Sequence, residues 1–201
     1  MAVTADEVVV LLKELELKHD RHSADEIVTL FGTESYVNVR GDKALLIVIS
    51  LMENGEYIAF RAPLAYRAVG DHVDAFLRVC AMIQWRTKLI QFEYDDRDGE
   101  VRPVIEFPLE EGKLVKGQVL RCLRGLCTLV DEYHDTLTRT LETGEIVFTD
   151  PFSASANAAQ IAALQALLQK LETGGAAPSV LDTVREQIAG LRGPGSGPRE
   201  L

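Results

Sequence analysis

The sequence predicts an α+β fold in which helices pack on an antiparallel sheet, followed by a C-terminal helical hairpin. Over residues 1–150, apolar residues switch between helical and alternating spacing in the order α-βββ-α-ββ-α. Short turns such as Asn54-Gly55 separate neighbouring strands, so those strands should pair antiparallel. Residues 161–191 then carry two short amphipathic patterns with a glycine pair between them.

The helices are predicted from their apolar faces and their capping residues. Thr4 and Glu7 have the spacing of a capping box at the start of the first helix. Asp71 is placed to cap the second helix. In the third helix, apolar residues recur at steps of four and three, which gives a broad stripe suited to packing on a sheet. The predicted helices span residues 5–18, 72–87 and 115–142.

The strands are predicted from alternating apolar residues bounded by turn residues. The first three form a meander with turns at Gly41-Asp42 and Asn54-Gly55. The last two form a hairpin, and Pro103 predicts an edge strand in it because proline lacks the N–H that a ladder needs. The predicted strands span residues 35–40, 44–52, 56–62, 88–94 and 100–107, with a further extended stretch at 26–31.

Composition and charge weigh against several classes of protein. The 201 residues carry a formal net charge of −10, which weighs against nucleic-acid binding and against an anionic membrane surface. The longest purely apolar stretch is residues 44–49, and even residues 44–52 fall far short of the ~20 residues of a membrane helix. The first residues lack a signal-peptide pattern. Cys80, Cys122 and Cys127 lie in apolar patterns, which predicts reduced thiols and a cytoplasmic location.

The acidity lies in one part of the chain. Residues 151–201 contain four basic and four acidic residues, so the whole negative charge belongs to residues 1–150. Asp150-Pro151 and a run of small residues mark a boundary. We therefore expect an α+β domain over residues 1–150, a helical appendage over 151–192, and a disordered Gly/Pro/Ser-rich end over 193–201.

The appendage is predicted to be a helical hairpin with one apolar seam. Ser179 with Asp182 is placed to cap its second helix. Helices this short are marginal in isolation, so the seam must pack on its own domain, a second copy or a partner. The apolar residues of the first helix are our candidate partner-binding surface. The apolar residues of the second helix repeat their spacing 20 positions later in the sequence. The two seams consist of Ile161, Leu164, Leu168 and Leu171, and of Leu181, Val184, Ile188 and Leu191.

We find no motif for catalysis, for a metal or for a cofactor. Gly-x-Ser-x-Gly is absent, and no cluster has the spacing of metal ligands. His72 and His134 each have aspartate neighbours, which leaves open a small hydrolase using carboxylates or histidine. A purely structural dimerisation protein, with the tail as its clasp, is the other alternative.

Residues 75–137 resemble the YbjN-domain family, bacterial proteins related in fold to class I type III secretion chaperones. The resemblance is carried by residues 75–80, 89–95, 98–102 and 106–109, by Leu123, Leu126, Val130, Asp131 and Tyr133, and by the upstream stretch 55–63. It implies the element order α-βββ-α-ββ-α over most of residues 1–142. It also implies a small acidic homodimer that binds another protein and is not an enzyme.

Together these observations predict a cytoplasmic bacterial protein that is chaperone-like or regulatory. It would hold a segment of a protein client on a sheet edge or an apolar groove. The tail would dock on the partner, pair two subunits, or occupy the groove. We expect no cofactor, no nucleic acid and no membrane among its partners.

Overall fold

The computed structural model describes residues 3–147, 151–173 and 178–191, and the side chains within these ranges except those of 151–160, 178 and 189–191. The chain divides into two compact units, Met1–Ile146 and Val147–Leu201, and each is described by itself. The predicted disordered end, residues 193–201, lies outside the described residues.

The first unit has the predicted α+β architecture, with two additional short strands. In chain order, its elements are α1 (Ala5–Glu14), β1 (Asp20–Arg21), β2 (Glu26–Gly32), β3 (Ala44–Met52), a 3-10 turn (Glu53–Gly55), β4 (Tyr57–Arg61), β5 (Tyr66–Arg67), α2 (Val73–Arg86), β6 (Ile90–Tyr94), β7 (Glu100–Pro108) and α3 (Lys116–Thr143).

All seven strands form one antiparallel sheet in which β7 is central. The order is β1-β2-β3-β4-β7, with β5 on the same side of β7 as β4, and β6 on its other side. Ile49 pairs with Ile27 on β2 and with Phe60 on β4, and all three are fully buried on the face that carries the helices. On the opposite face, the cross-strand pair Leu30 and Leu46 is 62% and 40% exposed.

The start of α1 follows its sequence signal. Thr4 Oγ1 accepts the Glu7 N–H at 3.3 Å, and Glu7 Oε2 accepts the Thr4 N–H at 2.8 Å. The Thr4 N–H and the Thr4 hydroxyl both donate to the Glu7 carboxylate, and these two bonds lower the pKa of Glu7. The helix ends at Glu14, four residues before the predicted end, since Glu16 adopts a left-handed conformation with φ of 56°.

The prediction of a strand over residues 35–40 is wrong. This segment is irregular, and the first strand of the meander is β2 instead. Val37 and Val39 alternate as in a strand but are 37% and 59% exposed. The backbone N–H groups of residues 34–36 are bound by the carboxylate of Asp131 on α3, so they are not available to a neighbouring strand.

Two further local predictions need correction. His72, not Asp71, is the N-cap of α2, and no side-chain hydrogen bond caps this helix. The hairpin does contain an edge strand, but that strand is β6, whereas Pro103 lies in the central β7. The missing N–H of Pro103 is tolerated because it faces Ala62, immediately beyond the end of β4.

The second unit contains the two predicted tail helices, α4 (Pro151–Thr173) and α5 (Pro178–Leu191), which pack against each other. Ser179 lies inside α5, so the prediction that it caps this helix is wrong. Arg185 on α5 pairs with Glu172 on α4 at 2.8 Å. Val184 and Ile188 of the predicted seam are buried.

Candidate functional site

The outer backbone of β6 is an open edge of the sheet. The carbonyl of Pro103 accepts the Ala62 N–H at 3.0 Å, so Pro103 directs its backbone groups away from β6. Backbone direction alternates along a strand, so Arg102 and Val104 direct theirs toward β6. Their partners on β6 are Glu93 and Gln91. The remaining β6 residues, Ile90, Phe92 and Tyr94, therefore direct their N–H and C=O groups away from β7, where the described sheet has no further strand.

One donor on this edge has an internal partner. The side chain of Gln84, in the last turn of α2, reaches the edge, and its Oε1 accepts the Phe92 N–H at 3.3 Å. The bond is near the long end of the normal range and is exposed. Gln84 therefore covers the middle of the edge with a contact that an incoming strand can replace.

The opposite edge of the sheet is protected over the first half of β2. There β2 is covered by β1, only two residues long, and both residues, Asp20 and Arg21, are exposed and charged. The His22 N–H and the Thr29 hydroxyl make further bonds, to the carbonyls of Glu26 and Lys18. A short, charged edge strand is a common way to prevent further pairing. Among the described strands, β6 is thus the longer and less protected edge.

Large apolar side chains lie exposed at the start of β6. Trp85, the only tryptophan of the chain, is 87% exposed, and Leu89 is 61% exposed. Leu89 also has a left-handed backbone, with φ of 68°, which is costly for any residue other than glycine. Neither side chain contributes to the core, so packing within this unit does not explain them.

Acidic side chains lie at the other end of β6. A depression of about 440 Å³ is lined by Glu93, Tyr94, Asp95, Asp96, Glu100 and Arg102. Arg102 Nε donates to Glu93 Oε2 at 2.6 Å, and the Arg97 guanidinium pairs with Asp95 and holds the pKa of that carboxyl well below its usual range. Even with both arginines counted, the cluster has an excess of negative charge.

The predicted tail residues share one face of α4. Ile161, Leu164, Leu168 and Leu171 are each half-buried, while most residues between them are exposed. The least exposed described residues of α5 are Leu181, Val184 and Ile188. Because the two helices pack together, these seams face each other. Leu167 on α4 and Val180 on α5 are 44% and 45% exposed.

The two histidines of the hydrolase alternative do not come together. His72 lies at the start of α2 beside Gly144, where an added Cβ would be 2.6 Å from its Nδ1. His134 lies on α3, ten residues before Gly144, so about 15 Å along the helix axis separates it from the end of α3 beside His72. His134 instead packs edge-on against Tyr36, with ring centroids 5.6 Å apart.

Among the described residues, no cluster of three or more His, Cys, Asp or Glu side chains is arranged to hold a metal ion. Within the same ranges, no helix combines the length and the apolar character needed to cross a membrane. The three cysteines are free thiols, and burial raises the pKa of Cys122 and of Cys127 to about 11. These two thiols are therefore protonated at neutral pH and are weak nucleophiles.

Sequence reasoning missed the surface around Trp85, although one signal was present. The apolar face that predicts α2 includes Phe76, Cys80 and Ile83, which are buried. Trp85 does not belong to that face, and a tryptophan off the buried face of an amphipathic helix indicates a contact surface. The openness of β6 has no sequence signal, since it depends on the strand order.

No family model matches the sequence, and no curated protein matches it. Solved structures do resemble it. YbjN from E. coli has a TM-score of 0.48 at 12% identity, covering 65% of this chain and 90% of that one. A chain of the HopA1-SchA chaperone-effector complex has a TM-score of 0.43 at 15% identity, covering 63% and 88%.

A chain of the ExsC-ExsE complex has a TM-score of 0.41 at 17% identity, covering 68% of this chain and 97% of that one. At these identities the likeness is one of fold. The solved structures similar to this chain include YbjN, as the resemblance in its sequence predicts.

Proposed function

We propose that this chain is a non-enzymatic, cytoplasmic protein-binding module, chaperone-like or regulatory, that holds an extended segment of a partner protein on the open edge of β6. The observation that carries the proposal is the combination of an unpaired strand edge with the exposed Trp85 and Leu89 at its start. We call these residues, Trp85 and Leu89–Tyr94, the β6 edge surface.

Backbone pairing supplies part of the binding energy. A strand added to β6 would satisfy outward groups of Ile90, Phe92 and Tyr94, and it would compete with Gln84 for the Phe92 N–H. Such main-chain bonds are independent of the partner's side chains. They therefore explain how a module can hold segments of differing sequence.

Apolar burial supplies the rest. A tryptophan that is 87% exposed has most of its surface available to a partner, and tryptophan is strongly enriched among residues that dominate binding energy. At roughly 25 cal/mol per Å² of apolar surface, covering Trp85 and Leu89 contributes several kcal/mol. This gain offsets much of the ordering cost of an extended segment.

The tail seam on Ile161, Leu164, Leu168 and Leu171 remains a proposal for a second contact. Its side chains are half-buried, so each offers less new area than Trp85. The homodimer implied by the sequence resemblance also remains a proposal.

A library of random nine-residue peptides, panned on the full chain, tests the edge proposal. Selected peptides should lose at least about tenfold in affinity on Leu89→Asp, because a carboxylate there blocks apolar contact. They should bind Leu46→Asp unchanged, since this matched exposed leucine lies on the open sheet face. No binders, or equal loss in both variants, would contradict the proposal.

A further inference from the structure

We propose that the preferred partner segment is basic at its N-terminal end and apolar at its C-terminal end. This inference rests on the proposed function and specifies the partner of the same surface. It follows from an asymmetry along β6: exposed apolar side chains lie where the strand begins, and the acidic depression lies where it ends.

The apolar end requires an apolar partner. Leu89 directly precedes Ile90, the first residue of β6, and Trp85 lies five residues before Ile90, in the last turn of α2. A basic side chain placed against them would lose hydration and lie near the like charges of Arg86 and Lys88, whereas an aliphatic or aromatic side chain would bury area on both surfaces. The start of β6 therefore selects apolar residues.

The acidic end favours a cation. Five carboxylates are opposed by three arginines close to them in the fold, and the groups are Glu93, Asp95, Asp96, Asp98 and Glu100 against Arg67, Arg97 and Arg102. Arg97 is occupied by Asp95, and Arg102 lies 2.6 Å from Glu93 and 4.0 Å from Glu100.

Asp96 lines the depression, is exposed, and has no ion-pair partner among the described residues. A Lys or Arg of the partner would reduce the mutual repulsion of these carboxylates, and an acidic partner would increase it.

The direction of pairing converts this asymmetry into a sequence rule. Every strand pair in the sheet is antiparallel, and the antiparallel ladder is slightly the more stable kind. An antiparallel partner places its N-terminal residues beside the end of β6 and its C-terminal residues beside Trp85. The distance from Leu89 to Asp95 corresponds to about seven extended residues.

Four synthetic peptides test the rule on the full chain. The first is acetyl-Lys-Thr-Lys-Val-Thr-Val-Leu-amide, the second has the reversed order, and the third has Glu in place of Lys. The fourth repeats the first with alternate backbone nitrogens methylated. Because Trp85 is the only tryptophan, its emission reports binding directly, and the peptides contain no aromatic residue.

We expect the first peptide to shift Trp85 emission to shorter wavelength and to bind about tenfold or more tightly than the other three at low salt. The preference over the Glu peptide should shrink as salt is added. Asp96→Lys should abolish or reverse the charge preference. Asp42→Lys changes an exposed aspartate in the loop between β2 and β3, and it should leave the charge preference intact.

Equal binding of the first and second peptides, with loss on methylation, would overturn the sequence rule and leave edge docking in place. Tighter binding of the Glu peptide would overturn it as well. If none of the four binds while library-selected peptides do, the rule alone is wrong. If neither set binds, both the rule and the edge proposal are wrong.

Discussion

The backbone N–H of Tyr36 donates to Oδ1 of Asp131 at 2.8 Å, across 95 positions of sequence. The amides of Glu34 and Ser35 donate to the same carboxylate. The Tyr36 hydroxyl donates to the Ala65 carbonyl at 2.9 Å, and burial raises the pKa of that hydroxyl to about 12. One carboxylate on α3 thus organises the loop between β2 and β3 and, through Tyr36, the connection between β4 and β5.

Asp131→Ala should lower the free energy of unfolding by about 2–4 kcal/mol, because three amides lose a charged acceptor. Urea denaturation measures the change. Asp135→Ala, one turn further along α3 and exposed, is the matched control and should cost no more than about 0.5 kcal/mol. Equal effects of the two substitutions would show that Asp131 does not hold the loop.

His134 should make the fold less stable in mild acid. Burial lowers the pKa of its ring, with Asp135 and Asp131 acting in the opposite direction, and its Nδ1 has no hydrogen-bond partner. The unfolded chain therefore binds more protons, so stability present near pH 7.5 is lost as the pH falls through about 6.5 toward the folded-state pKa. Urea denaturation near pH 7.5 and below about pH 6.5 measures this loss of stability, which should be smaller in His134→Gln. An identical loss in both proteins would refute this origin.

Leu89→Gly separates stability from binding. Glycine relieves the left-handed backbone at this position, so the free energy of unfolding should stay the same or rise by about 1 kcal/mol. Affinity for edge-binding peptides should nevertheless fall severalfold, because an exposed apolar side chain is removed. Leu64→Gly, at another exposed left-handed leucine, should give the same stability change and no loss of affinity. Thermal unfolding and peptide titration check both.

Gln84→Ala should strengthen peptide binding by about two- to fivefold, because the incoming strand no longer displaces a hydrogen bond at Phe92. Stability should change little, since the side chain is exposed. Gln165→Ala, an exposed glutamine on α4, provides the control for loss of a helical glutamine. Weaker binding to Gln84→Ala would mean that Gln84 contacts the partner rather than covering the edge.

Local signals predicted most of the elements. The Thr4–Glu7 capping box and the alternating apolar residues of β3 act within a few residues, so the sequence displays them directly. Residues 35–40 show the limit of this reasoning. Val37 and Val39 have strand spacing, but the distant Asp131 carboxylate takes the amides of residues 34–36.

The candidate site was less predictable than the fold. Pro103 is tolerated in the central strand β7 because β4 ends opposite it. No local sequence pattern shows where β4 ends relative to β7. The edge status of β6 has the same origin. Trp85 was visible as a tryptophan outside the buried face of α2, but its proximity to an open edge requires the strand order.

Site-specific photocrosslinking in the native cell tests the central claim most directly. A benzophenone amino acid would replace Trp85 at the edge, Leu46 on the open sheet face, or Leu167 on α4. The account predicts that position 85 crosslinks to a defined extended segment of another protein, and that this product is lost when Leu89→Asp is added. Crosslinks only from positions 46 or 167, or only to a second copy of this chain, would contradict partner binding at the β6 edge.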